Sequence, residues 1–105
     1  MPSLTISTEN AEFQIIQSLK TNRTKRHKLK EIFIEGIESI KQAEQAGLEF
    51  TRIITSEPDK LSTWSQNLIR KHRNSKVIRM PFDLYKSICD REEPSEIVVT
   101  ARVDP

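Results

Sequence analysis

Apolar positions in this chain come in short blocks, none longer than three residues, set between polar and charged stretches. Their spacing alternates between two periods. From about Asn10 to Lys20, Ile15, Ile16 and Leu19 fall on one helical face with Phe13 at its edge. Asn10 suits the N-cap, because its side-chain oxygen accepts from a backbone N–H that has no partner inside the helix. Thr21 to Thr24 reads as a polar loop. Glu31 to Glu35 reads as a strand through Ile32, Phe33 and Ile34, and three consecutive apolar residues predict an interior strand buried on both faces. Gly36 allows a tight turn into a helix from Ile37 to about Ala46, with Ile37, Ile40 and Ala43 inward. Gly47 stands where a helix C′ residue belongs, since glycine takes positive φ at little cost.

Phe50 to Thr55 is the next predicted strand, and Glu57-Pro58-Asp59 a turn. Leu61, Trp64, Leu68 and Ile69 form an amphipathic stripe on a helix over about Leu61 to Arg73, with Gln66, Arg70 and Arg73 on its far side. Lys76 to Met80 is a strand. Pro81 opens a short helix at its favoured first position, with Leu84, Tyr85 and Ile88 inward. Arg91 to Ser95 is a charged loop, and Glu96 to Val103 the last strand. Four helices thus alternate with four strands, which predicts one α/β domain with a mostly parallel sheet and helices on both faces.

Composition narrows the function. A length of 105 residues and an apolar fraction of 35% fit one domain with a modest core. A bilayer span needs about 20 apolar residues, so no membrane helix is expected. The N-terminus has no basic region leading into an apolar segment, which argues against a secretory signal. Cys89, the single cysteine, cannot form an internal disulfide and fits a reducing, cytoplasmic setting. Gly36 and Gly47 are the only glycines, and they match neither a dinucleotide fingerprint nor a P-loop.

Charge adds more than its total of +2. Residues 1–19 carry −2, residues 20–30 +6, residues 31–59 −5, residues 60–82 +6 and residues 83–105 −3. Neither basic block contains an acid. Such blocks attract phosphate locally even in a balanced chain, although a solvated face is the alternative reading.

Three stretches together resemble the N-terminal substrate-binding domain of the SpoU/TrmH family of RNA ribose 2′-O-methyltransferases. The first is Ile6-Ser7-Thr8-Glu9-Asn10, then a helix ending Leu19-Lys20 and basic residues Arg23 and Arg26. The second is Ile32-Phe33-Ile34-Glu35-Gly36, then Ile37 and a helix ending Ala46-Gly47. The third runs from Val77-Ile78 to Phe82, through Cys89-Asp90-Arg91-Glu92-Glu93-Pro94, to the strand Ile97 to Val103. The likeness spans about Leu4 to Val103. Ala11 stands where the family often has Pro, and Ser95-Glu96 replaces its usual Gln-Gly. The resemblance implies a three-layer α/β/α sandwich of about four strands, akin to kink-turn-binding ribosomal proteins. It also implies a domain that holds structured rRNA or tRNA. A knotted catalytic domain, expected C-terminal to Pro105 and absent here, would bind S-adenosylmethionine and make the full-length protein a homodimer. This chain itself is expected to hold no cofactor.

Candidate contacts follow from both lines of argument. The first set is Lys20, Asn22, Arg23, Lys25, Arg26, His27, Lys28 and Lys30: Arg offers a planar fork to phosphate, Lys a mobile point charge, and Asn or His a hydrogen bond or a stack. The second set is Glu35, Gly36, Arg70, Lys71 and Arg73, with Lys76 and Arg79 nearby. Trp64 and Phe33 read as core, Tyr85 as able to reach the surface with its hydroxyl, and Cys89 as a small buried hydrophobe. His27 and His72 form no metal-ligand pattern, and no catalytic residue is assigned. A free-standing ribosomal-protein-like RNA binder and a protein-interaction module with paired acidic and basic segments remain the alternatives.

Overall fold

The computed structural model describes residues 3–103. Its elements are β1 (Ser3–Thr5), α1 (Ala11–Thr21), α2 (Arg23–Leu29), β2 (Glu31–Glu35), α3 (Ile37–Gln45), β3 (Glu49–Thr55), α4 (Thr63–Lys71), β4 (Lys76–Arg79), α5 (Phe82–Ile88) and β5 (Val98–Arg102), with one 3-10 turn at Pro58–Lys60. The strands make one mixed sheet in the order β1-β4-β3-β5-β2. β1, β4 and β3 pair in parallel, while β5 lies antiparallel between β3 and β2. Four strands therefore share a direction and β5 runs against them.

The sheet has five strands, one more than the hydrophobic pattern predicts. β1 escapes that pattern because it is three residues long and exposed throughout, joined to β4 by its backbone. The expectation of an interior strand at Ile32–Ile34 is also corrected. β2 is an edge strand that pairs with β5 alone. Its apolar run is covered by helices instead of strands: Ile32 and Ile34 join the cluster with Ile40, Ala43, Leu61 and Leu68, and Phe33 packs against the cluster that contains Phe13, Ile16, Tyr85 and Ile88. These clusters define the layers, with α3 and α4 on one face of the sheet and α1 and α5 on the other.

Local chemistry sets the helix ends. Asn10 Oδ1 accepts from the Phe13 N–H at 3.0 Å and starts α1, as its position predicts. Asn22, extended at φ −121° and ψ 104°, ends α1 and starts α2: its N–H donates to the Ser18 carbonyl and its side chain accepts from the Lys25 N–H. One polar residue therefore turns the predicted loop into a helix–cap–helix corner. α4 begins at Thr63, not Leu61, because Ser62 is the cap. Leu61 is still buried, just ahead of the helix. Pro81 is extended and precedes α5 as its cap, one position earlier than expected.

Glu96 explains the Ser-Glu departure noted in the sequence. Its carboxylate accepts from the Ser62 N–H at 3.1 Å, from the Ser62 hydroxyl at 2.6 Å and from the Ser65 hydroxyl. It thus serves the open N–H end of α4, where negative charge is favoured. Burial pushes its carboxyl up, but the Ser62 and Ser65 hydrogen bonds outweigh that and hold it below the usual range. Tyr85 is buried and donates to the Ser95 carbonyl at 2.5 Å, so its hydroxyl does not reach the surface as expected. Burial, then the neighbouring Cys89 and Glu35, push that phenol well above its ordinary value.

A second polar cluster lies between α1 and the sheet. A bulge between Phe50 and Arg52 places Arg52 opposite Thr100. The Arg52 side chain is 9% exposed, and its guanidinium donates to Glu12 at 2.5 Å and to Glu31 at 2.8 Å. Thr51 donates to Glu31 at 2.6 Å and lies 2.7 Å from Thr100. Lys76 reaches Glu12 at 3.2 Å. Burial pushes the Glu12 carboxyl up, yet Arg52 and Lys76 together hold it below its ordinary value.

Two predictions follow from these carboxylates. Glu12→Gln removes the charge but not the shape, and leaves Arg52 with one carboxylate; stability in urea should fall by about 2 kcal/mol. Both Glu12 and Glu96 have folded pKa values depressed below 4.5. Their stabilisation is therefore complete above the unfolded value and is lost as pH falls through the folded one. Urea midpoints measured from pH 6 down to pH 2.5 should decline below about pH 4.5. The decline should be shallower in Glu12→Gln and in Glu96→Gln, and an identical slope in all three proteins would contradict the assignment.

Candidate nucleic-acid interface

The first basic block folds into the end of α1 and the whole of α2, and this geometry sorts its residues into two groups. Lys20 and Arg26 turn inward. Lys20 Nζ lies 2.7 Å from Asp90 Oδ1, with only 18% of the Lys20 side chain exposed. Arg26 Nη1 donates to the carbonyls of Leu19 at 3.2 Å and Lys20 at 3.0 Å. Asn22 is engaged as the shared cap. Arg23, Lys25, His27, Lys28 and Lys30 are exposed, and among the described residues none of them forms an ion pair.

Helical spacing explains the division. With 100° per residue, Arg26 and Leu29 fall toward the protein, while Thr24, His27 and Lys28 point away, flanked by Arg23 and Lys25. No residue of α2 is fully buried, and its first turn contains no acid. Lys30 ends the helix in the left-handed region at φ 57°, and its carbonyl accepts from the Val103 N–H at 2.8 Å. The exposed face is therefore a ridge of unneutralised positive charge along the β2 edge of the sheet.

Glu35 and Gly36 lie at the other end of β2. A cleft of about 440 Å³ there is lined by Leu19, Lys20, Arg26, Ile32, Phe33, Glu35 and Asp90. Glu35 accepts from the Asp90 N–H at 2.8 Å and the Arg91 N–H at 3.2 Å, so it ties the segment after α5 to the strand end. Gly36 has φ 100° and precedes α3. A Cβ at this position would meet Arg91 Nη2 at 2.5 Å, though that flexible guanidinium could swing aside; the positive φ is what requires glycine. Arg91 is exposed and adds a cation at this corner, one that sequence reasoning left inside a charged loop. No motif marks it, because its position depends on the Glu35 contacts across 56 residues of sequence.

The second basic block does not join this surface. Arg70, Lys71 and Arg73 are exposed at the C-terminal end of α4. That helix packs on the opposite sheet face from α1, against which α2 rests. Lys76 is engaged with Glu12. His72 lies 2.8 Å from Glu44 and its ring sits 4.3 Å from that of Phe50. Trp64 is partly buried against the α3/α4 core, with the Lys41 ammonium 5.8 Å from its ring. Cys89 is half-buried, and burial followed by Glu35 pushes its thiol up to about 11, which leaves it protonated at neutral pH.

Among the described residues no group of three or more His, Cys, Asp and Glu is placed to hold a metal ion. No described helix is long and apolar enough to cross a membrane.

Comparison with known proteins agrees with this architecture. The chain is 29% identical over 99 residues to a 23S rRNA (uridine(2479)-2′-O)-methyltransferase from Streptomyces viridochromogenes, covering 93% of this chain and 34% of that protein. The crystal structure of the SpoU methyltransferase AviRb from the same organism, in complex with the cofactor AdoMet, superposes with a TM-score of 0.78 at 30% identity, covering 91% of this chain and 36% of that one. An rRNA methyltransferase structure from Sinorhizobium meliloti gives a TM-score of 0.80 at 15% identity, over 99% of this chain and 38% of that one, a likeness of fold alone. The chain thus spans about a third of the length of the relatives it matches. The model of the SpoU L30e-like domain matches residues 10–99, and the chain belongs to that family.

Proposed function

We propose that this chain is the RNA-holding domain of a ribose 2′-O-methyltransferase, and that α2 supplies its main phosphate contact. The observation that carries the reading is the exposed face of Arg23, Lys25, Lys28 and Lys30, with His27 among them, whose charges have no ion-pair partner among the described residues. Contacts of this kind position an RNA backbone without reading its sequence. A matched relative is a 23S rRNA 2′-O-methyltransferase by name, which supports structured RNA as the ligand class.

Methyl transfer is assigned to a unit outside this chain, C-terminal to Pro105, that would bind S-adenosylmethionine. The residues described here do not fit such a cofactor. Gly36 starts α3 and Gly47 follows its end, so the two glycines share no loop that could form a cradle; the Gly36 backbone lies under Arg91, and the neighbouring cleft is lined by a Lys–Asp pair. The domain's part is to capture folded RNA and hold it near the catalytic unit.

Salt dependence tests this directly. Four exposed cations on α2 and its cap, Arg23, Lys25, Lys28 and Lys30, imply a slope of log K against log salt of roughly −3 to −4 for a hairpin RNA. Arg23→Ala with Lys28→Ala should make that slope shallower by about 1.5, measured by fluorescence anisotropy between 50 and 200 mM salt. Arg70→Ala with Arg73→Ala should leave it unchanged. Binding that ignores salt, or that weakens equally with either pair, would reject α2 as the contact.

A further inference from the structure

We propose that Arg26 is a positioning residue for α2 and makes no phosphate contact of its own, although it lies in the middle of the basic block. The proposal rests on the reading of α2 as the RNA-facing element.

α2 is poorly able to hold itself. It has seven residues, too few for a stable isolated helix. Arg23 and Lys25 sit in its first turn, where the helix dipole disfavours positive charge. Arg23 and His27, and Lys25 and Lys28, are neighbours along its surface with no acid between them. Lys30 closes it at φ 57°, a conformation that disfavours a side chain. Leu29 gives it only half-buried apolar contact.

Arg26 offsets these defects from one point. The carbonyls of Leu19 and Lys20 lie in the last turn of α1, where they lack intrahelical partners. Arg26 Nη1 donates to both, at 3.2 Å and 3.0 Å, and sets its charge against the negative end of the α1 dipole. Among the described residues it is the only α2 side chain that hydrogen-bonds outside its own helix. The guanidinium thus couples the direction of α2 to that of α1, and with it the direction in which His27 and Lys28 face.

A positioning role and a contact role separate in the salt plot. Loss of a contacting cation makes the slope shallower; loss of a positioning group lowers affinity with the slope kept. Arg26→Ala should weaken hairpin RNA binding roughly tenfold, the equivalent of one charge-assisted hydrogen bond, with the slope of the wild type. Arg26→Lys, which keeps a donor for the carbonyls, should restore most of the affinity. Without RNA, amide hydrogen exchange over residues 23–29 should quicken in Arg26→Ala, while β3 and β5 amides stay as protected as before. The proposal is overturned if Arg26→Ala makes the slope shallower as Arg23→Ala does, if it leaves affinity unchanged, or if α2 amides exchange no faster. Because exchange is read without RNA, it tests the pinning even if the wild type binds no RNA, an outcome that would reject the RNA-holding function instead. General unfolding of the alanine variant would appear as lost protection in β3 and β5, and would overturn a role confined to α2.

Discussion

The fold turns on a buried arginine. Arg52 projects from the middle of β3 toward α1, and its guanidinium is shared between Glu12 of α1 and Glu31 of β2. A charge at this depth is strongly unfavourable unless its donors find partners, so α1 must bring Glu12 to one place over the sheet. The bulge at Thr51 belongs to the same solution, since it lets Thr51 and Arg52 both address Glu31 and Thr100. Apolar packing by Phe13 and Ile16 would tolerate some sliding of a helix; the ion pair does not. Once α1 is placed, its C-terminal end is placed too, and α2 follows from that end.

Charge blocks that alternate along the chain become sorted in space by the same contacts. Several acids of the −5 and −3 segments are engaged within the protein: Glu31 with Arg52, Glu35 with backbone N–H groups, Glu44 with His72, Asp90 with Lys20, and Glu96 with α4. The α2 cations have no such partners among the described residues. Screening limits surface charge to about 8–10 Å at physiological salt, so the local excess around α2, and not the total of +2, is what an approaching polyanion meets.

Much of this was legible in the sequence, in proportion to how local its causes are. The N-cap at Asn10, the strand ending at Glu35, the glycine at position 36 and the stripe through Trp64 and Leu68 each depend on residues within a few positions, and each stands where the pattern puts it. β1 was not legible, because its three exposed residues are held by β4 pairing across more than 70 positions. The edge position of β2 was hidden for a related reason. Two helix layers can bury an apolar run as well as two neighbouring strands can, and periodicity does not tell these apart. α2 was missed because Asn22 serves two helices at once, while a run of basic residues without apolar period carries no helical signature. The role of Glu96, which departs from the family's pattern, was hidden because its partners Ser62 and Ser65 lie more than 30 positions away.

Residues of one charge type within one block can therefore have opposite duties. Lys20 and Arg26 face carbonyls and a carboxylate of the protein, and their charges are largely answered there. Arg23, Lys25, Lys28 and Lys30 face solvent, and theirs are not. The distinction comes from the 100° turn per residue and from the single cap at Asn22, which sets the phase of that turn. At the far end of the helix the Val103 N–H holds the Lys30 carbonyl, so α2 is fastened at both ends and through one side chain between. The proposed role in holding RNA would need that arrangement, because phosphate contacts fix a ligand's register only if the cations that make them are themselves fixed.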